Sequence, residues 1–161
     1  FVSRMDDQVK IRGFRIELKE IETKILEFGN IKECAVIIAQ NGTTKILVAC
    51  IGTENQLDTK KLNTYLKSKL PFYMIPSKYL CMENLPLNIN GKLDNKLLLQ
   101  KIAEMPEEII PPKSETEKAL VKIWKEVLEL KEIGTNQNFF EIGGDSLSAI
   151  KLLNLINLKY L

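Results

Sequence analysis

Near the start of the chain, apolar and polar positions alternate. In "DDQVKIRGFRIEL", Val9 and Ile11 point one way up to Arg12-Gly13, and Phe14 and Ile16 bracket the return. A period of two on both sides of a glycine predicts a short β-ribbon with Gly13 at or near its tight end. The period then lengthens. In "LKEIETKILEFG", Leu18, Ile21, Ile25 and Phe28 share one helical face, and Gly29 is a suitable stop. "KECAVIIAQNGTTKILVACIG" holds two β-branched runs around Asn41-Gly42, a dipeptide that tolerates the positive φ of a tight hairpin turn. "LDTKKLNTYLKSKL" returns to helical spacing, with Asp58 as cap, a Leu57–Leu62 staple, and Pro71 as terminator. "KYLCMENL" predicts one more short strand. "PLNINGKLDNKLLLQKI" predicts a loop opening into a short helix.

A composition shift follows. "AEMPEEIIPPKSE" carries three prolines and four acids and predicts a semi-stiff linker. Past it, Ser114 and Glu117 of "SETE" have capping-box spacing. Leu120, Ile123, Trp124, Val127 and Leu128 then form a helical stripe, and a last helix begins near Ser146 with Ala149, Ile150, Leu153 and Ile156 as its apolar positions. The fold class expected is a small α+β subdomain over residues 1–102, built of a β-ribbon and a small antiparallel sheet with flanking helices. A linker over 103–113 and an all-α partial helical bundle over 114–161 complete it. Two amphipathic helices cannot bury both apolar faces, so the helical piece is expected to be truncated.

Composition narrows the chemistry. The chain has 161 residues and 45% hydrophobic content, enough for a core. Lys+Arg at 23 nearly balances Asp+Glu at 21, so no overall field recruits nucleic acid or a membrane. No apolar run approaches the roughly 20 residues of a membrane span. The absence of histidine excludes Ser-His-Asp and Cys-His catalysis and every histidine metal site, and no metal site is expected. Cys34, Cys50 and Cys81 sit in separate apolar runs and read as buried free thiols of a reducing, cytoplasmic compartment. The start at Phe1 and the stop within "NLKYL" read as cut ends of a larger polypeptide.

In "FFEIGGDSLSAIKLL", Ser146 stands after Gly-Gly-Asp at the head of a helix with no base nearby. A serine or aspartate there is favoured simply as an N-cap. Three features also fit attachment of a phosphodiester-linked arm by another enzyme: Gly143-Gly144 clear the surroundings, the helix start favours a negative group, and no histidine could activate the serine. "NFFEIGGDSLSAIKL", with its lead-in "PPKSETEKALVKIWKEVLEL", closely resembles the core motif of peptidyl carrier (thiolation) domains of nonribosomal peptide synthetases, over about residues 111–158. The resemblance implies that Ser146 carries 4′-phosphopantetheine, installed by a separate phosphopantetheinyl transferase. Asp145 stands where many members have histidine; both occur in the family.

"SRMDDQVKIRGFRIELKEIE" and "LPLNINGKLDNKLL" resemble the late core motifs of amino-acid adenylation domains, which belong to the adenylate-forming enzymes. Residues 1 to about 102 match that family's small C-terminal subdomain. Taken alone, Lys92 after Asn90-Gly91 is a solvated charge on an apparently mobile loop. Adenylation, however, brings a carboxylate onto the α-phosphate of ATP, and a cation can bridge both anions in the transition state. The resemblance places the adenylation lysine at Lys92, with ATP and Mg as substrate of the intact domain. It also implies that Arg12 and Gly13 form the ribbon that swings in for thiolation, that Asp6 is the hinge, and that Arg4 lies near the ribose. The family usually has glycine where Ser3 stands.

The partners implied are an N-terminal adenylation core, the transferase and neighbouring synthetase domains, together with self-association through the incomplete carrier. Two further readings stand beside the synthetase: a free-standing carrier or binding module without catalytic role, and an acyl-CoA ligase, which would not normally carry a "GGDSL" segment.

Overall fold

The computed structural model describes residues 8–42 and 44–160, which form two compact units, the first of residues up to 40 and 45–105 and the second of residues 41–44 and 106 onward. The first begins with a ribbon, β1 (Gln8–Ile11) against β2 (Phe14–Glu17), antiparallel with Ile11 opposite Phe14. Its two-residue turn holds Arg12 at φ 51° and Gly13 at φ 82°. Two consecutive positive φ values are the requirement of a type I′ turn, the form whose twist matches the flanking strands. Helix α1 (Leu18–Glu27) follows directly, burying Ile21 and Ile25. Gly29 (φ 98°) and Asn30 (φ 59°) then turn the chain out of the helix.

A three-stranded sheet of order β3-β4-β5 forms the centre of this unit, from β3 (Glu33–Asn41), β4 (Thr44–Gly52) and β5 (Lys78–Met82). Asn41 closes β3, and Gly42 at φ 61° opens the turn. An antiparallel sheet was the expectation, but the sheet is mixed: β5 pairs parallel with β4, Val48 opposite Lys78 through Gly52 opposite Met82. The reason is the crossover through α2 (Thr59–Lys69), which returns the chain in its original direction. As the central strand, β4 is covered on both faces, so its sequence is a continuous apolar run instead of an alternating one. One face packs Val36, Leu47, Ala49 and Ile51 against α1 and α2, with Ile11 and Ile16 of the ribbon in the same core. The opposite face packs Val48 and Cys50 against Leu98 and Ile102 of α3 (Asn95–Ala103).

Local signals act as their chemistry dictates. Asp58 caps α2, accepting from Lys60 N and Lys61 N at 3.1 Å each. β3 is an edge strand of the described sheet, and Glu22 of α1 accepts from its Val36 N–H at 2.8 Å. Pro71 leads into a 3-10 turn, Phe72–Met74, that the sequence pattern does not announce. Of the cysteines, Cys34 is half-buried, Cys50 buried and Cys81 exposed, so the expectation that all three are buried fails for Cys81. It lies on the short outer strand β5, beside which no further strand runs among the described residues. Burial still pushes all three thiols up, Cys50 to about 12, so they are protonated near neutral pH.

The second unit contains α4 (Glu115–Leu128) and α5 (Ser146–Tyr160). The capping box at the head of α4 is complete: Ser114 Oγ accepts from Glu117 N, and Glu117 Oε2 accepts from Ser114 N. Ile123, Ile133 and Phe139 are its buried apolar residues, with Trp124 edge-on to Phe139 at 5.0 Å. The stripe read on α4 faces inward at Ile123, with Trp124, Val127 and Leu128 half-buried, whereas Leu120 in the second turn is exposed. On α5, Ile150 and Leu153 are instead exposed, and Leu152 and Leu155 join Ala149 and Ile156 as half-buried positions. This helix is apolar on more than one side, so periodicity alone cannot select its inner face.

The stretch read as linker is partly fastened. Asn136 Nδ2 donates to Glu108 O at 2.6 Å, and Asn136 Oδ1 accepts from Ile110 N at 3.1 Å. Thr135 N donates to Ile110 O at 2.8 Å. A Cβ on Gly134 would lie 2.9 Å from Ile110 N, so the strap depends on glycine there.

Candidate functional site

Three sites emerge from the residues singled out in the sequence. The first is the segment Pro86–Asp94 between β5 and α3. Leu87 and Leu93 form an isolated antiparallel bridge, and Asp94 N donates to Pro86 O at 2.9 Å. Above that bridge, Asn88 N donates to Lys92 O at 2.7 Å and Asn88 O accepts from Gly91 N at 3.0 Å. Asn88 Oδ1 accepts from Asn90 N at 2.9 Å and from Lys92 N at 3.1 Å. Gly91 supplies the positive φ, 75°, that closes the turn. Immediately beyond, Asp94 Oδ1 accepts from Leu97 N at 3.0 Å and caps α3. Lys92 is exposed and closes this miniature hairpin opposite Asn88, one residue before the bridged Leu93. The expected loop is a hydrogen-bonded turn, because Asn88 satisfies three of its amides and α3 anchors its far end.

The second site is the ribbon turn. Arg12 and Gly13 are both exposed, and nothing lies within 4 Å of where a Gly13 Cβ would stand. Backbone conformation, not lack of space, therefore calls for glycine. Next to the turn, Phe14 stacks on Tyr73 with ring centroids 4.3 Å apart and meets Phe72 edge-on at 5.7 Å. This cluster ties the ribbon to the 3-10 turn, and Phe72 remains 75% exposed. The turn and Lys92 sit on separate elements of the first unit. Arg4 and Asp6 lie outside the described residues.

The third site is the head of α5. Asp145 is the N-cap: its C=O accepts from Ala149 N at 2.9 Å, and its Oδ1 accepts from Ser148 N at 2.7 Å. In return, Ser148 Oγ accepts from Asp145 N at 2.7 Å. This reciprocal closure matches the Ser114–Glu117 box and leaves Ser146 out of it. Among the described residues, Ser146 Oγ has no hydrogen-bond partner, and the residue is exposed on the first turn of the helix. The Ser148 N–H, followed by the Ser148 hydroxyl, holds the Asp145 carboxyl below its ordinary value.

The two glycines before it have distinct duties. Gly143 takes φ 107° with open space around it. Gly144 lies against Phe139: a Cβ there would stand 2.3 Å from Phe139 Cδ1, and its N–H donates to Phe139 O at 2.9 Å. The pair therefore serves the Phe139–Trp124 packing as well as access to the serine. Asn88 and Ser148 were not singled out in the sequence, although Asn two residues before another polar turn residue and Asp-x-x-Ser at a helix head are the local signals for both.

Comparison with known proteins identifies two domains. Residues 20–92 match the AMP-binding enzyme C-terminal domain, and residues 118–160 match the phosphopantetheine attachment site. Over 156 residues, 95% of this chain, it is 46% identical to gramicidin S synthase 2 of Brevibacillus brevis. It is 43% identical over 160 residues to bacitracin synthase 2 of Bacillus licheniformis. The chain carries an AMP-binding C-terminal domain and a phosphopantetheine attachment domain, and its relatives are nonribosomal peptide synthetases. Of the synthetase structures, a holo four-domain nonribosomal peptide synthetase bound to AMP and glycine aligns with 96% of this chain at 36% identity and a TM-score of 0.56. The chain spans 4% of gramicidin S synthase 2, 6% of bacitracin synthase 2 and 12% of that solved synthetase chain. It joins the C-terminal subdomain of an adenylation domain to a phosphopantetheine carrier domain. A free-standing carrier without catalytic role is the less favoured reading, since residues 20–92 carry the enzyme-derived subdomain. No helix among the described residues is long and apolar enough to cross a membrane.

Proposed function

We propose that this chain serves ATP-dependent activation of an amino acid and its transfer to a tethered thiol, within a synthetase that supplies the adenylation core and neighbouring domains. The observation that carries the reading is the free Ser146 hydroxyl at a helix start already closed by Asp145 and Ser148. The serine is spare, exposed, and set where the partial positive charge of the helix N-terminus favours an attached phosphodiester. In loading, Ser146 Oγ attacks the pantetheine-side phosphorus of coenzyme A, the bond to the departing phosphate oxygen breaks, and adenosine 3′,5′-bisphosphate leaves. The transferase removes the hydroxyl proton, since the chain has no histidine to do so. Once bound, the arm supplies a thiol that takes the aminoacyl group as a thioester.

Lys92 acts in the earlier half-reaction. Its ammonium bridges the incoming carboxylate and the α-phosphate of ATP, offsetting charge where the two anions meet. Arg12 and Gly13 form the ribbon edge presented to the arm in the second half-reaction. Asp6 as hinge and Arg4 near the ribose complete the reading, on their place in the motif "SRMDD". The setting is cytoplasmic, where coenzyme A and ATP are available. Self-association through Ile150 and Leu153 of α5, 56% and 59% exposed, belongs to the same reading and is checked by sedimentation velocity across concentration.

The deciding experiment is intact mass after incubation with coenzyme A and a phosphopantetheinyl transferase. A gain of one phosphopantetheine that disappears in Ser146→Ala is expected. Unchanged mass, or modification that persists in Ser146→Ala, would refute the assignment.

A further inference from the structure

The turn that carries Lys92 is closed by one other residue, through its main chain and its side chain together. We propose that Asn88 is a positioning residue for adenylation, holding the Lys92 backbone so that its ammonium meets the reacting anions. This rests on the reading of Lys92 given above and adds a second residue to it.

Both main-chain polar groups of Lys92 bond to Asn88: its C=O accepts from Asn88 N at 2.7 Å, and its N–H donates to Asn88 Oδ1 at 3.1 Å. The same Oδ1 accepts from Asn90 N at 2.9 Å, and the Asn88 carbonyl accepts from Gly91 N at 3.0 Å. The amides of Asn90, Gly91 and Lys92 therefore all close onto one residue. The Leu87–Leu93 bridge and the α3 cap hold the base of the turn, but neither bonds to the Lys92 main chain. Lysine has a long, rotamer-rich side chain and lacks the pre-organised fork of arginine. Its charge can be placed only if its Cα is placed.

Exposure makes the role separable from stability. Asn88, Asn90, Gly91 and Lys92 are all exposed, so water can replace Oδ1 for the released amides. Losing the side-chain oxygen loosens the tip without burying an unpaired group. The effect then belongs to the rate of the step that needs Lys92, because displacement of a positioned group by about 1 Å can cost on the order of 10²-fold.

The test compares Asn88→Thr with Asn88→Val in the full-length synthetase. The two side chains have nearly the same shape, but threonine keeps an oxygen that can accept the amide two residues on. Asn88→Val is expected to lower kcat for amino-acid-dependent pyrophosphate exchange on the order of 10²-fold with little change in KM for ATP. Asn88→Thr is expected to recover most of that loss, and thioester formation from preformed adenylate should be normal in both. Amide exchange on the 161-residue chain should show faster exchange at Lys92 in Asn88→Val, with protection of β4 unchanged. Equal adenylation rates in the two variants, or equal loss in both half-reactions, would overturn the role of Asn88. Lys92→Ala, run in parallel, separates the layers. If it cripples adenylation while Asn88→Val does not, only the Asn88 role fails; if it leaves adenylation intact, the Lys92 reading fails and takes the Asn88 role with it.

Discussion

Gly144 and Lys92 show what a single position can demand. A methyl on Gly144 would press into both the ring and the carbonyl of Phe139, at 2.3 and 2.5 Å. Gly144→Ala is therefore expected to destabilise the second unit by about 1–3 kcal/mol, the usual cost of overpacking, read as a lower melting temperature of that unit. Lys92→Ala should leave folding alone, since the side chain is exposed, while slowing adenylation on the order of 10²–10³-fold, the loss typical of one electrostatic transition-state group. Equal slowing of thioester formation from preformed adenylate would count against it. Lys92 and Ser146 are proposed on resemblance, and spacing alone would have singled out neither. What the sequence obscured was their support. Asn88 closes a turn and Ser148 closes a cap, and each makes short-range polar contacts that many loop residues could equally make.

The caps carry the predictions that belong to whole elements. Removing the box at the head of α4 by Ser114→Ala should cost about 1 kcal/mol, measured by denaturant unfolding of the second unit. Glu117, held mainly by the N–H groups of Ser114 and Lys113, and Asp145, held by those of Ser148, both have pKa values below their ordinary 4.5 and 3.8. A depressed carboxylate stabilises the fold above its ordinary value, and that stability is lost as pH falls through the lower folded value. The helical content of the second unit is thus expected to fall on acidification below about pH 4, and a Glu117→Gln, Asp145→Asn double variant should flatten that dependence. Carboxyl titration midpoints at or above the ordinary values would contradict it. Asn136→Ala should release Glu108–Ile110, seen as faster amide exchange at Ile110 and Thr135. Unchanged exchange would show that the strap does not need the side chain. Element type was legible wherever caps and periodicity agreed, as in α2 and α4. It failed for the inner face of α5, where apolar residues surround the helix and only its packing against α4 selects a side.

At the scale of the molecule, two surface features of the first unit are assigned to successive half-reactions. Gly13→Leu should impair thioester formation and spare adenylation, the reverse of Lys92→Ala. The left-handed turn would resist leucine by roughly 1–2 kcal/mol, and the added side chain would project from the ribbon tip. A variant that lost adenylation alone would invert the assignment. Amino-acid order by itself determined the two-part organisation, the helices, the hairpins and the candidate serine and lysine, because caps, glycines and apolar periods act over a few residues and are written contiguously. Tertiary structure alone decided the parallel pairing of β4 with β5, the exposure of Cys81, the inner face of α5 and the strap from Asn136 to Glu108. Each of these joins residues from separate segments, and such pairings are chosen by which buried surfaces and orphan amides must be satisfied together, a condition that no local stretch encodes.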